Sequence, residues 1–173
     1  MSELDEAWAL ALAEAERRAR TAGRGDIADY IALRASNDLM RSTGIEWLMN
    51  ALTTLAGEAN RAGASIRIEK ADGHSFRVGS ATMTGTRLTF RMGVRNLTVE
   101  AGWPRTPRDG FVRGGGLACG RINHFGNRSA DDELMLVRST SGVPEWYILE
   151  QTGKRNNLLE ARLRRHLSIF LAE

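Results

Sequence analysis

The chain's one cysteine, Cys119, stands five residues before one of its three histidines, His124, and both follow three consecutive glycines, Gly114–Gly116. A thiol within hydrogen-bond reach of an imidazole is the pair that nucleophilic catalysis uses. Side chains on a strand alternate between its faces. At a spacing of five, Cys119 and His124 fall on opposite faces, which argues against a local dyad and leaves Cys119 as a small structural residue. Ala118, Gly120, Ile122 and His124 form the small, apolar set, so His124 is expected to look inward. His166 lies in the apolar stripe of the last helix. The two histidines could then be neighbours across the core, lining a pocket; the competing and commoner arrangement is two hydrogen-bonded core histidines, or one at an edge. His74 follows a tight turn and reads as solvated.

The glycines do not make a nucleotide motif. A dinucleotide fingerprint needs G-x-G-x-x-G opening a helix, and a P-loop needs Gly-Lys followed by Ser or Thr; neither occurs here. What remains is a backbone anion nest at Gly114, Gly115 and Gly116, flanked by Arg105, Arg108 and Arg113. The competing reading is a flexible hinge leading into a strand. No H-x-x-x-H or paired cysteines suggest a metal, and no cofactor motif is present. The acidic cluster Asp131–Glu133 sits in a polar turn and reads as solvated.

Charge is unevenly placed. Residues 64–128 hold 11 basic and 4 acidic side chains, a net of +7, while residues 1–63 hold 7 and 10, a net of −3. Arg67, Arg77, Arg87 and Arg91 alternate with apolar residues along their strands and are expected on one wet sheet face. Such a face suits phosphates or an acidic protein surface. The segment lacks the aromatic interleaving that single-strand binders use, so nucleic acid is the less favoured partner. No apolar run approaches the ~18 residues of a membrane span. The acidic start and the single cysteine favour the cytoplasm.

These residues need elements to position them. Leu4, Trp8, Ala11, Leu12, Ala15 and Ala19 recur at helical period, with Ser2 and Asp5 at the expected start and Gly23–Gly25 at the end. A second helix follows Asp26, with Ile27, Tyr30 and Ile31 apolar. Thr43 and Glu46 have capping-box spacing for a third helix, buried through Trp47, Leu48, Ala51, Leu52, Leu55 and Ala59; the two could also be one kinked rod. After Gly63 the period changes to 2. Ile66 and Ile68 alternate, then Phe76 and Val78, which predicts a hairpin with a three-residue turn at Gly73 in positive φ. Further runs at 87–92 and 97–101 are separated by Gly85, Gly93 and Asn96. A long loop at 103–116 has no period. Strand character returns at 117–125, 134–138 and 146–150. The final helix has Asn157 and Glu160 at cap spacing and Leu159, Leu163, His166, Leu167 and Phe170 as its stripe.

The order of elements indicates α+β: N-terminal helices over 1–63, an antiparallel meander of about six to seven strands over 64–151, and a C-terminal helix at 156–172 packed on the sheet. One domain over 1–173 is expected. No catalytic set emerges. The functional expectation is a non-catalytic binding module that engages an anionic partner through the basic sheet face and loop 103–116. The alternative is a small-ligand protein or enzyme with a pocket between sheet and C-terminal helix involving His124 and His166. The Ala-rich first helix, with Trp8, offers a surface for a homo-oligomer.

Overall fold

The computed structural model describes residues 3–172; the expected helix start at Ser2 lies outside them, as do the side chains of Leu4, Asp5 and Trp8. Contacts divide the chain into two compact units, Met1–Met40 and Arg41–Glu173. The first is helical. It contains α1 (Glu3–Thr21) and the opening turns of α2 (Gly25–Arg61), joined through Gly23 at positive φ. Arg20 bonds both Glu16 and Asp29. Ala28 is the one fully buried apolar residue this unit contributes among those described, and Tyr30, expected inside, is 62% exposed.

In the second unit α2 continues unbroken to Arg61, so the Thr43–Glu46 spacing caps nothing. A capping box satisfies orphan N–H groups, and a helix interior has none. Ile45, Leu48, Met49, Leu52, Leu55 and Ala56 form the buried stripe. Trp47, expected on it, is 45% exposed. The stripe is rotated because Gly44 faces the sheet. A Cβ there would lie 2.7 Å from Leu136 Cδ2, and Trp146 Nε1 donates to the Gly44 carbonyl at 2.8 Å.

Seven antiparallel strands follow in spatial order of sequence: β1 (Arg67–Val78), β2 (Ala81–Met92), β3 (Arg95–Trp103), β4 (Ala118–His124), β5 (Asp132–Arg138), β6 (Pro144–Leu149) and β7 (Arg155–Asn157). Then comes α3 (Glu160–Leu171). One face of the sheet carries the core, with Leu88–Val99–Ile122 and Phe90–Leu97–His124 in register. The buried residues of α3, Leu163, His166, Leu167 and Phe170, pack on this face. Arg95 Nη1 donates to the carbonyls of Phe170 and Leu171, meeting the unsatisfied C-terminal carbonyls of α3 with positive charge. Asn157 is not the cap of α3: it pairs with Tyr147 in β7, and Leu159, expected in the stripe, is exposed at the helix start.

The expected hairpin at residues 66–78 is a single strand. β1 runs through Asp72–Gly73 and pairs with β2 along its whole length; Asp72 lies opposite Thr86 and His74 opposite Gly85, leaving Gly73 as one extra residue. Gly73 does take positive φ, at 64°, but as a β-bulge. A bulge inserts one residue and exchanges the faces beyond it. Ile68, opposite Phe90, faces the helices; Phe76, opposite Met83, faces away. Gly85 and Asn96, expected as turn residues, lie inside β2 and β3, and the tight connections use Gly79 and Gly93 at φ 59° and 60°.

Candidate functional site

The inward strand face brings His124 and His166 together. His124 Nε2 lies 2.8 Å from His166 Nδ1, and the rings stack with centroids 5.1 Å apart. His166 Nε2 is 2.7 Å from Asp132 Oδ2. Arg162, one turn before His166 on α3, forks onto both oxygens of Asp132 at 2.7 Å. Burial alone would raise the Asp132 carboxyl, but the hydrogen bonds of His166 and Arg162 overcome it and hold the group below the usual carboxylate range. With Asp132 ionised, His166 Nε2–H donates to it, and one proton lies between His166 Nδ1 and His124 Nε2. Burial, then the neighbouring His166, lowers the His124 pKa. The chain is thus a stacked histidine pair on a clamped carboxylate, tying β4, β5 and α3. His124 is 7% exposed and His166 2%. A cavity of about 600 Å³ lies between β5–β7 and the start of α3, lined by Asp132, Arg162 and Arg165 but by neither histidine.

Asp132 was hidden in the acidic cluster. Its signal is alternation: Asp132, Leu134 and Leu136 share the face opposite Ile122, Gly120 and Ala118. Read that way, the first strand residue is an inward carboxylate rather than part of a solvated turn.

The other sheet face carries a second polar group. His74 Nε2 lies 2.7 Å from Glu100 Oε2, and Arg121 Nε donates to Glu100 Oε1 at 2.6 Å. His74, expected in solvent, instead stacks on Phe76 and is tied to a buried carboxylate. Arg121 Nη2 reaches the Arg77 carbonyl at 3.0 Å, from β4 to β1. In a flat sheet those strands lie ~14 Å apart, so the end of the β1–β2 pair curls over this face. Gly85 and Gly102 pair at the bend, and a side chain at Gly85 would collide with the Ala101 carbonyl. Under the curl Phe76, Ala81, Met83 and Cys119 form a small second core with Val78 and Val112. Burial pushes the Cys119 thiol up to about 11, which suits a packing residue and not a nucleophile.

Loop 103–116 closes over the same face. It holds two short 3-10 turns, Pro107–Asp109 and Arg113–Gly115. Arg105 lies 3.5 Å over the Trp103 ring and donates to the Thr84 carbonyl, and Asp109 Oδ2 accepts from Arg105 N and Thr106 N. Gly114 and Gly115 both take positive φ. Arg155 of β7 reaches this backbone: its Nη2 would lie 3.1 Å from a Cβ at Gly114. Among the described residues no carboxylate stands within ion-pair distance of Arg108, Arg113 or Arg155. Phe111, between them, is 82% exposed. A cavity of about 430 Å³ opens here, lined by residues that include Phe111, Val112, Arg113, Cys119, Arg121 and Met135.

The expected basic face is only partly assembled. Arg67, Arg87 and Arg91 share the face of Arg121, with Arg67 opposite Arg91. Arg77 lies on the opposite side, because the Gly73 bulge reverses the alternation beyond it. Acidic residues interrupt the row: Arg87, Glu100, Arg121 and Glu133 succeed one another across β2 to β5. Arg155, missed from sequence, joins the loop arginines because the short strand β7 carries it onto this face beside Leu149. Among the described residues no cluster of three or more His, Cys, Asp or Glu side chains is placed to hold a metal ion, and no helix is long and apolar enough to cross a membrane. No family model, curated protein or solved structure matches the chain.

Proposed function

We propose that the chain is a non-catalytic interaction module whose loop 103–116 and adjoining sheet face engage an acidic segment of a partner protein. The observation that supports this reading is the set Arg108 and Arg113, on the loop that carries the exposed Phe111, and Arg155, which reaches that loop at Gly114, all three without carboxylate partners among the described residues. Unpaired cations attract an anionic partner, and an arginine–aromatic combination is typical of protein hot spots. The alternation of Arg87, Glu100, Arg121 and Glu133 disfavours a continuous phosphate backbone, which would meet carboxylates at every second position. Burial keeps the Cys119 thiol protonated and so a poor nucleophile, and the histidine pair lines neither cavity described above.

The test is a titration of labelled polyglutamate and of a labelled DNA duplex, each at several salt concentrations. The proposal expects peptide binding that weakens as salt rises. Tighter binding of the duplex would transfer the surface to nucleic acid, and no binding of either would end the reading.

A further inference from the structure

We infer that the 430 Å³ cavity beneath loop 103–116 is a binding site for a small alkyl carboxylate, a ligand with one anionic end and an apolar body. It shares Arg113 and Phe111 with the protein-binding surface proposed above and adds the buried floor beneath them. The cavity has two kinds of wall. Its rim carries the guanidinium groups of Arg113 and Arg121. Its floor carries Ala81, Met83, Cys119, Met135 and Leu149, of which the first four are buried. Arg121 is already committed to Glu100 and the Arg77 carbonyl. Arg113 has no such commitment among the described residues, so the free cation stands at the mouth above an apolar floor.

Three features fit a flexible apolar chain rather than a polar metabolite. The volume lies in the range of small-molecule sites, which are mostly apolar with a few placed polar groups. Two methionines, Met83 and Met135, line it, and unbranched thioethers repack around irregular apolar shapes. The one thiol is held protonated, and therefore neutral, by burial. The floor thus presents no charge, while Glu133 at the wall disfavours dianions such as phosphate esters near it. A single carboxylate on Arg113 leaves the alkyl chain to run inward over Cys119.

The test uses the full chain and four probes: acetate, octanoate, octanol and inorganic phosphate, by calorimetric titration. Octanoate should bind and acetate should not be detected, since each methylene that leaves water tightens binding by about fourfold at most. Octanol should bind more weakly than octanoate. Arg113→Gln, a change on an exposed loop, should weaken octanoate by about threefold to tenfold and leave octanol unchanged. Cys119→Met, which narrows the floor, should weaken octanoate and octanol together, with circular dichroism confirming the fold. Octanoate binding no tighter than acetate, or equal loss of octanol and octanoate in Arg113→Gln, would overturn the inference. Polyglutamate binding with no octanoate binding would remove the cavity site and leave the protein surface standing; octanoate binding alone would do the reverse.

Discussion

His124 and His166, 42 residues apart in sequence, share one hydrogen bond of 2.8 Å in the interior of the sheet–helix layer. The pair is anchored by the Asp132 carboxylate, which Arg162 clamps from α3. A buried carboxylate that loses its charge strands both partners, so Asp132→Asn is expected to cost about 3 kcal/mol of unfolding free energy. Urea denaturation checks this. A loss below about 1 kcal/mol would show that the network is not a clasp.

The same network sets a pH dependence. The His124 pKa is lowered from its ordinary 6.5, so below that pH the unfolded chain binds more protons than the folded one. The Asp132 pKa is lowered too, from an ordinary 3.8. Both contributions are present above the unfolded-state values and disappear as pH falls toward the folded ones. Stability should therefore decline from pH 7 to pH 5 through His124 and drop further below pH 4 through Asp132. His124→Phe should flatten the first decline. An unchanged profile in that variant would contradict the assignment.

Deleting Gly73 removes the bulge and restores uninterrupted alternation in β1. His74 stays opposite Gly85 and Phe76 opposite Met83, so both keep their faces, because the deletion removes only the extra residue. The expected outcome is a folded chain that retains the second core, read as parent-like hydrogen-exchange protection at residues 74–83; loss of protection there would show that the bulge itself is needed. Gly85→Ala is more severe: the added methyl meets the Ala101 carbonyl, and a loss of about 3 kcal/mol or more is expected by thermal unfolding.

Trp146 joins β6 to α2 through its bond to the Gly44 carbonyl. Trp146→Phe keeps most of the apolar contact and removes the donor. A loss of about 1 kcal/mol is expected, measured by chemical denaturation. No change would mean that packing alone holds α2 at that point.

The α+β order, the antiparallel meander and the terminal helix were legible because hydrophobic period changes sharply at Gly63 and again after the last strand. The inward turn of His124 and its meeting with His166 followed from alternation and helical stripe. The register of β1 was not legible. A positive-φ glycine serves a turn and a bulge equally, and only pairing with β2 distinguishes them. That one ambiguity misplaced Phe76, Arg77 and His74 together. Asp132 was obscured by its acidic neighbours, and Arg155 by a three-residue strand too short to show a period. Trp47 was placed inside on hydrophobicity, whereas the close approach at Gly44 fixes which stripe of α2 meets the sheet.

The interaction surface is tested most directly by the double variant Arg113→Gln/Arg155→Gln, titrated against labelled polyglutamate by fluorescence anisotropy at low salt. Arg164→Gln/Arg165→Gln on α3, which packs on the other face of the sheet, serves as the matched loss of two charges. The proposal expects the Arg113/Arg155 variant to weaken binding by about tenfold or more, with a shallower salt dependence, and the α3 variant to bind as the parent does. Equal binding by the parent and the Arg113/Arg155 variant, or equal weakening by the α3 variant, would contradict it.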